Sequence, residues 1–64
     1  MRTRYDPDTD ALYVHFADAT VVETEEVRPG VMFDFDAEGR IVAIEVLDAS
    51  EKLPLNFSAT EVAA

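Results

Sequence analysis

The sequence predicts an α+β fold that is mostly β: an antiparallel meander sheet of four to five strands with a short C-terminal helix. Three observations carry this reading. Ala11 to Phe16 sets Leu12, Val14 and Phe16 on one face and Tyr13 and His15 on the other, the period of two of a half-buried strand. Turn residues recur at Asp6-Pro7-Asp8-Thr9-Asp10, Ala17-Asp18-Ala19, Arg28-Pro29-Gly30 and Asp36-Ala37-Glu38-Gly39, leaving runs of strand length between them. After Leu47 the pattern changes: Asp48-Ala49-Ser50-Glu51 has the form of a helix start, an N-cap acid with Glu three residues on.

Taken in order, a short strand around Arg2 to Tyr5 pairs with Ala11 to Phe16 across the DPDTD loop. Asp side chains in that loop cap its backbone amides. Val21 to Val27 is β-compatible but acidic through Glu23, Glu25 and Glu26, which suits a sheet edge, where charge discourages stray pairing. Pro29-Gly30 fits the centre of a type II turn, leading to Val31, Phe33 and Phe35 in alternation with Met32, Asp34 and Asp36. Arg40 to Leu47 contains the nearly continuous apolar run IVAIEVL, as expected of a strand covered on both faces. Pro54 halts the helix after one or two turns, and Ser58-Ala59-Thr60-Glu61 offers a second helix start.

With 64 residues the chain is one domain, 1–64, and a chain so short buries only about 60% of its unfolded surface. Such small domains need a supplement: disulfides, a metal or self-association. There is no cysteine and a single histidine, which excludes disulfides and thiolate sites and argues against zinc. The net charge is −9, from fourteen acids against five bases. Nucleic acid and anionic lipid are bound through Lys and Arg, so neither is an expected partner, whereas a basic protein is a candidate one. No stretch is long or apolar enough for a membrane helix, and MRTRYDPDTD lacks the apolar core of a secretory signal. The expected location is the cytoplasm. The sequence implies no cofactor.

Residues 34 to 45, DFDAEGRIVAIE, are one substitution from the calcium-loop pattern D-x-[DN]-x-[DN]-G-x5-E. A bulged hairpin turn over Asp36 to Gly39 would set Phe35 opposite Ile41, Asp34 opposite Val42, Phe33 opposite Ala43 and Val31 opposite Glu45. Asp34 and Glu45 would then point to opposite faces, whereas calcium needs its oxygens converging at about 2.3–2.6 Å. The loop is therefore read as a hairpin and no metal ligands are assigned. A weak divalent-metal site at Asp34, Asp36 and Glu38 is kept as one alternative.

His15 is the one natural general base near neutral pH, and Tyr5, Asp6, Asp10, Tyr13 and His15 form the candidate ligand-binding set. No cysteine or activated serine accompanies them, and no catalytic residue is assigned. A small enzyme or ligand-binding protein with its site between subunits is a further alternative. The apolar surplus says more. In the register above, Val31, Phe33, Phe35, Ile41, Ala43 and Leu47 share one face, while Met32, Ile44 and Val46 share the other. One short helix carrying Leu53, Leu55 and Phe57 covers only one of them. An uncovered apolar patch marks an interaction site, so the expected assembly is a homo-oligomer, a dimer or higher, with Met32, Ile44 and Val46 as interface candidates.

Three ordered blocks also resemble a known family: Tyr5-Asp6-Pro7-Asp8-Thr9-Asp10-Ala11-Leu12-Tyr13, then Glu26-Val27-Arg28-Pro29-Gly30-Val31, then Asp34 to Ser50, DFDAEGRIVAIEVLDAS. The family is the small prokaryotic one called domain of unknown function 2283. The resemblance covers about residues 5–53, leaves 54–64 as a variable tail, and leaves His15 outside the pattern. It implies a compact β-rich domain with a C-terminal helix. Members often stand beside other small proteins in arrangements like toxin–antitoxin pairs, which implies an antitoxin-like, partner-binding role. No site residues come with it. The function expected is that of a small acidic interaction or oligomerisation module.

Overall fold

The computed structural model describes residues 1–54; the expected second helix start at Ser58, and Leu55 and Phe57, lie outside them. The strands are β1 (Arg2–Asp6), β2 (Ala11–His15), β3 (Glu23–Arg28), β4 (Val31–Phe35) and β5 (Ile41–Val46), followed by the one-turn helix α1 (Ala49–Lys52). They form one antiparallel sheet in the order β1-β2-β5-β4-β3, so the expected antiparallel sheet with a short C-terminal helix is the architecture found. Consecutive strands meander only from β3 to β5. The β2–β3 connection crosses to the far edge, and the chain then returns to place β5 beside β2. The apolar run of β5 thereby occupies the centre, and the glutamate-rich β3, exposed along its whole length, occupies an edge.

Gly30 and Gly39 carry the left-handed φ values, +76° and +79°, that let the two tight hairpins close. At the second hairpin the Gly39 N–H donates to the Asp36 carbonyl at 3.0 Å, and Asp36 and Arg40 close the loop at 2.9 Å. Beyond it the register departs from the sequence reading. Phe35 does pair with Ile41, but a bulge follows, so Asp34 pairs with Ala43 rather than Val42, Phe33 with Ile44, and Met32 with Glu45. One extra residue on β5 moves every later side chain to the other face. Ile44 and Val46, expected beside Met32, instead share the face of Val31 and Phe33; Met32 shares its face with Glu45 and Asp34.

The two faces that result differ in kind. One carries Tyr5, Leu12, Val14, Ile44, Val46, Val31, Phe33 and Phe35; the other carries Arg2, Arg4, Tyr13, His15, Ala43, Glu45, Met32 and Asp34. Helix α1 lies on the apolar face, where Ala49 is fully buried against Leu12 and Val46, with Tyr5, Val14, Val31, Ile44 and Leu53 packed around them. The core is thin. Among the described residues only Ala11 and Ala49 fall below 2% exposure.

Asp48 does not cap this helix as its sequence suggests. It sits in the left-handed region at φ 51°, ψ 49° and makes no side-chain cap bond, because a capping side chain works from extended backbone. The cap comes from Asp10, on the β1–β2 turn: its carbonyl accepts the Ala49 N–H at 2.8 Å and its carboxylate accepts the Ser50 N–H at 3.1 Å. Asp48 instead stands 3.9 Å from Lys52 Nζ, which donates to the Leu47 carbonyl at 2.6 Å.

Candidate functional site

The five residues grouped from the sequence divide between the two faces. Tyr5 and Asp10 meet on the helix side. The Tyr5 hydroxyl donates to Asp10 Oδ1 at 2.7 Å, and Ser50 donates to Asp10 Oδ2 through its hydroxyl at 2.6 Å. Asp10 holds the left-handed conformation, φ 55°, which Asp tolerates better than most residues. The Ser50 hydroxyl first, and the Tyr5 hydroxyl next, hold the Asp10 carboxyl below the usual carboxylate range, while the Asp10 hydrogen bond raises Tyr5. Ser50 was not among the expected residues. It stands forty positions from Asp10, and no local pattern announces the pairing. Ser50 donates to a carboxylate whose basicity is lowered, and His15 is on the opposite face, so no histidine stands beside this serine. The cluster works as a clamp that fixes α1 to the β1–β2 turn. Asp6 supports the same turn by accepting the Asp8 N–H at 3.0 Å.

The clamp has a pH signature. A folded-state pKa below the unfolded value of about 3.9 gives stability that is fully present above that value and is lost as pH falls through the lower one. Asp10→Asn is expected to lower the urea midpoint at about pH 7 and to converge with the parent at about pH 2. Parallel offsets at both pH values would show that the Asp10 charge has no part in holding the helix.

Tyr13 and His15 lie on the other face, where the register pairs Arg4 with Tyr13 and Arg2 with His15. With Thr3 they line an open concavity of about 590 Å³. The Arg4 guanidinium sits 5.8 Å from the centroid of the Tyr13 ring, and Arg2 donates to Asp18 at 2.9 Å. The arginines were missed in the sequence, although the alternation of RTRY across the DPDTD turn from ALYVH holds the signal: Tyr5 opposite Leu12 carries Arg4 and Arg2 onto the Tyr13 and His15 face.

The calcium-like loop is a closed hairpin whose first turn acid is fully engaged. Asp36 Oδ1 accepts the backbone N–H groups of Glu38 and Arg40, each at 2.9 Å, and Oδ2 accepts from Arg40 Nε at 3.2 Å. The Arg40 amide above all holds the Asp36 carboxyl low, with the Glu38 amide and the Arg40 charge adding to it. Asp34 accepts the Thr24 hydroxyl at 2.7 Å. The expected separation of Asp34 and Glu45 onto opposite faces is corrected by the bulge, which puts both on one face, two residues apart along β5 from Asp34's partner Ala43. Among the described residues no group of three His, Asp or Glu side chains is placed to hold a metal ion, and no helix is long and apolar enough to cross a membrane.

A five-stranded antiparallel sheet, a one-turn helix clamped by an acid from the first turn, and a basic concavity on the reverse face define the chain as a small single-sheet α+β protein. Residues 2–50 match the model of the family described as protein of unknown function DUF2283, and the chain belongs to that family. No curated protein and no solved structure matches it.

Proposed function

We propose that the chain is a self-associating interaction module whose apolar face is completed by a second copy. The observation that carries this is the reach of α1. Four residues long, it covers the Leu12–Val46 end of the face, while Val14, Ile44, Phe33 and Phe35 continue beyond it as half-buried side chains. Phe16, the residue after β2, is 44% exposed, and the rings of Phe33 and Phe35 sit 6.3 Å apart. A thin core in a short chain is the circumstance in which association supplies missing burial. A two-fold pairing brings such a row against its own copy, the isologous contact common in homodimers. Pairing through the β3 edge is disfavoured by Glu23, Glu25 and Glu26 along it.

Those exposed glutamates favour a second, compatible reading. An antitoxin-like protein holding a basic partner would meet its Lys and Arg side chains there, with affinity that falls as salt rises. For the primary reading, light scattering on the purified chain at micromolar concentration is expected to give twice the 7.1 kDa chain mass. A stable 7.1 kDa species under those conditions overturns it.

A further inference from the structure

The concavity on the reverse face concentrates positive charge on a chain of net charge −9. Two of its five basic residues, Arg2 and Arg4, are neighbours on one face of β1, directly opposite His15 and Tyr13. Two guanidiniums two residues apart on one strand face repel each other, and an anion between them relieves that repulsion. Arg2 already shows what it takes: the Asp18 carboxylate lies 2.9 Å from it, with the two side chains 70% and 90% exposed. An exposed pair of that kind is weak, on the order of 0–1 kcal/mol, and easily displaced. Arg4 is in no ion pair among the described residues. Its guanidinium is steadied by the Tyr13 ring, a contact that leaves the N–H donors in the plane of the group available.

We propose that Arg2, Arg4, Tyr13 and His15 form a binding site for a small phosphomonoester. Its phosphoryl oxygens bridge the two guanidiniums beside His15, and its organic body lies along Tyr13. Residues two apart on a strand are separated by about 6.6 Å, a gap that a many-oxygened dianion spans better than a single carboxylate. Guanidinium forks match phosphate oxygens in geometry as well as charge. The volume, about 590 Å³, exceeds what a bare ion fills and lies within the range of about 300–1,000 Å³ typical of small-molecule pockets. The acids facing the site are Asp18 at its rim, already on Arg2, Asp6, two residues on from Arg4 along the same face of β1 and bonded to the Asp8 N–H, and Glu45, opposite Tyr13 on β5. More distant acids are screened beyond a Debye length of about 8 Å at physiological salt.

The site is on the face opposite the apolar row, so its test does not depend on self-association. Phenyl phosphate, benzoate and inorganic phosphate are titrated into the full chain, with the Tyr13 and His15 ring resonances as readout. Phenyl phosphate is expected to saturate near ~1 mM or below, with inorganic phosphate and benzoate each weaker by about tenfold. Arg4→Ala is expected to weaken phenyl phosphate by about tenfold or more, in line with the loss of a charged hydrogen bond. Arg40→Ala, a removal of equal charge from the β4–β5 turn, is expected to leave it unchanged. Arg2→Ala repeats the test should Arg4→Ala fail to fold. No saturable shift, equal binding of benzoate, or equal loss in Arg40→Ala would each overturn the site.

Discussion

Leu12→Ala is expected to cost about 2–5 kcal/mol, the range for truncating a buried leucine, which is about half of the roughly 3–10 kcal/mol available to a domain of this size. Leu12 is 8% exposed, stands opposite Val46 on β5 and Tyr5 on β1, and meets Ala49 of the helix. With Val46 it joins the two hairpins to the helix through one small cluster. A urea melt followed by circular dichroism checks this. Leu47→Ala, at a position 37% exposed, serves as control and is expected to stay within about 0.5 kcal/mol of the parent. Equal midpoints for Leu12→Ala and Leu47→Ala would place the stabilising cluster elsewhere.

Phe16→Glu is expected to raise the dimer dissociation constant by about thirtyfold or more, the weight of an interface hot spot of about 2 kcal/mol, while leaving the protomer folded. The position is 44% exposed in the single chain, so a polar side chain there costs the monomer little. The proposed pairing carries the Leu12–Val14 row on to Phe16, so a carboxylate there would lose its hydration against the second copy. A dilution series by light scattering, with a melt to show the fold intact, separates the two effects. An unaltered dimer would move the contact to another surface.

What could be read in the sequence was what depends on neighbours in sequence. The alternation of Leu12 and Val14, the glycines at 30 and 39 and the acidic edge strand each rest on a local rule, and each stands where that rule puts it, although β2 ends at His15, one residue short of Phe16. Tertiary features escaped. The bulge on β5 is a single inserted residue between two strands whose turn was correctly placed, yet it reversed the faces of Ile44 and Val46. The run IVAIEVL is apolar at almost every position, so its pattern cannot signal a slip of one. The helix cap escaped for a related reason. Asp48 has the right chemistry in the right place along the chain, but Asp10 reaches the same amides from across the fold. The five candidate site residues were grouped by nearness in sequence, and strand alternation then sent Tyr5 and Tyr13 to opposite faces.

The proposal that a second copy covers the apolar row is tested most directly by contacts between protomers. In a sample mixing isotope-labelled and unlabelled chains, isotope-filtered nuclear Overhauser spectra report only pairs of protons on different copies. The expected result is cross-peaks linking Val14, Phe16, Ile44, Phe33 and Phe35 of one protomer to the same set on its partner. Cross-peaks confined to the Tyr13 and Glu45 face, or none between protomers, would contradict it.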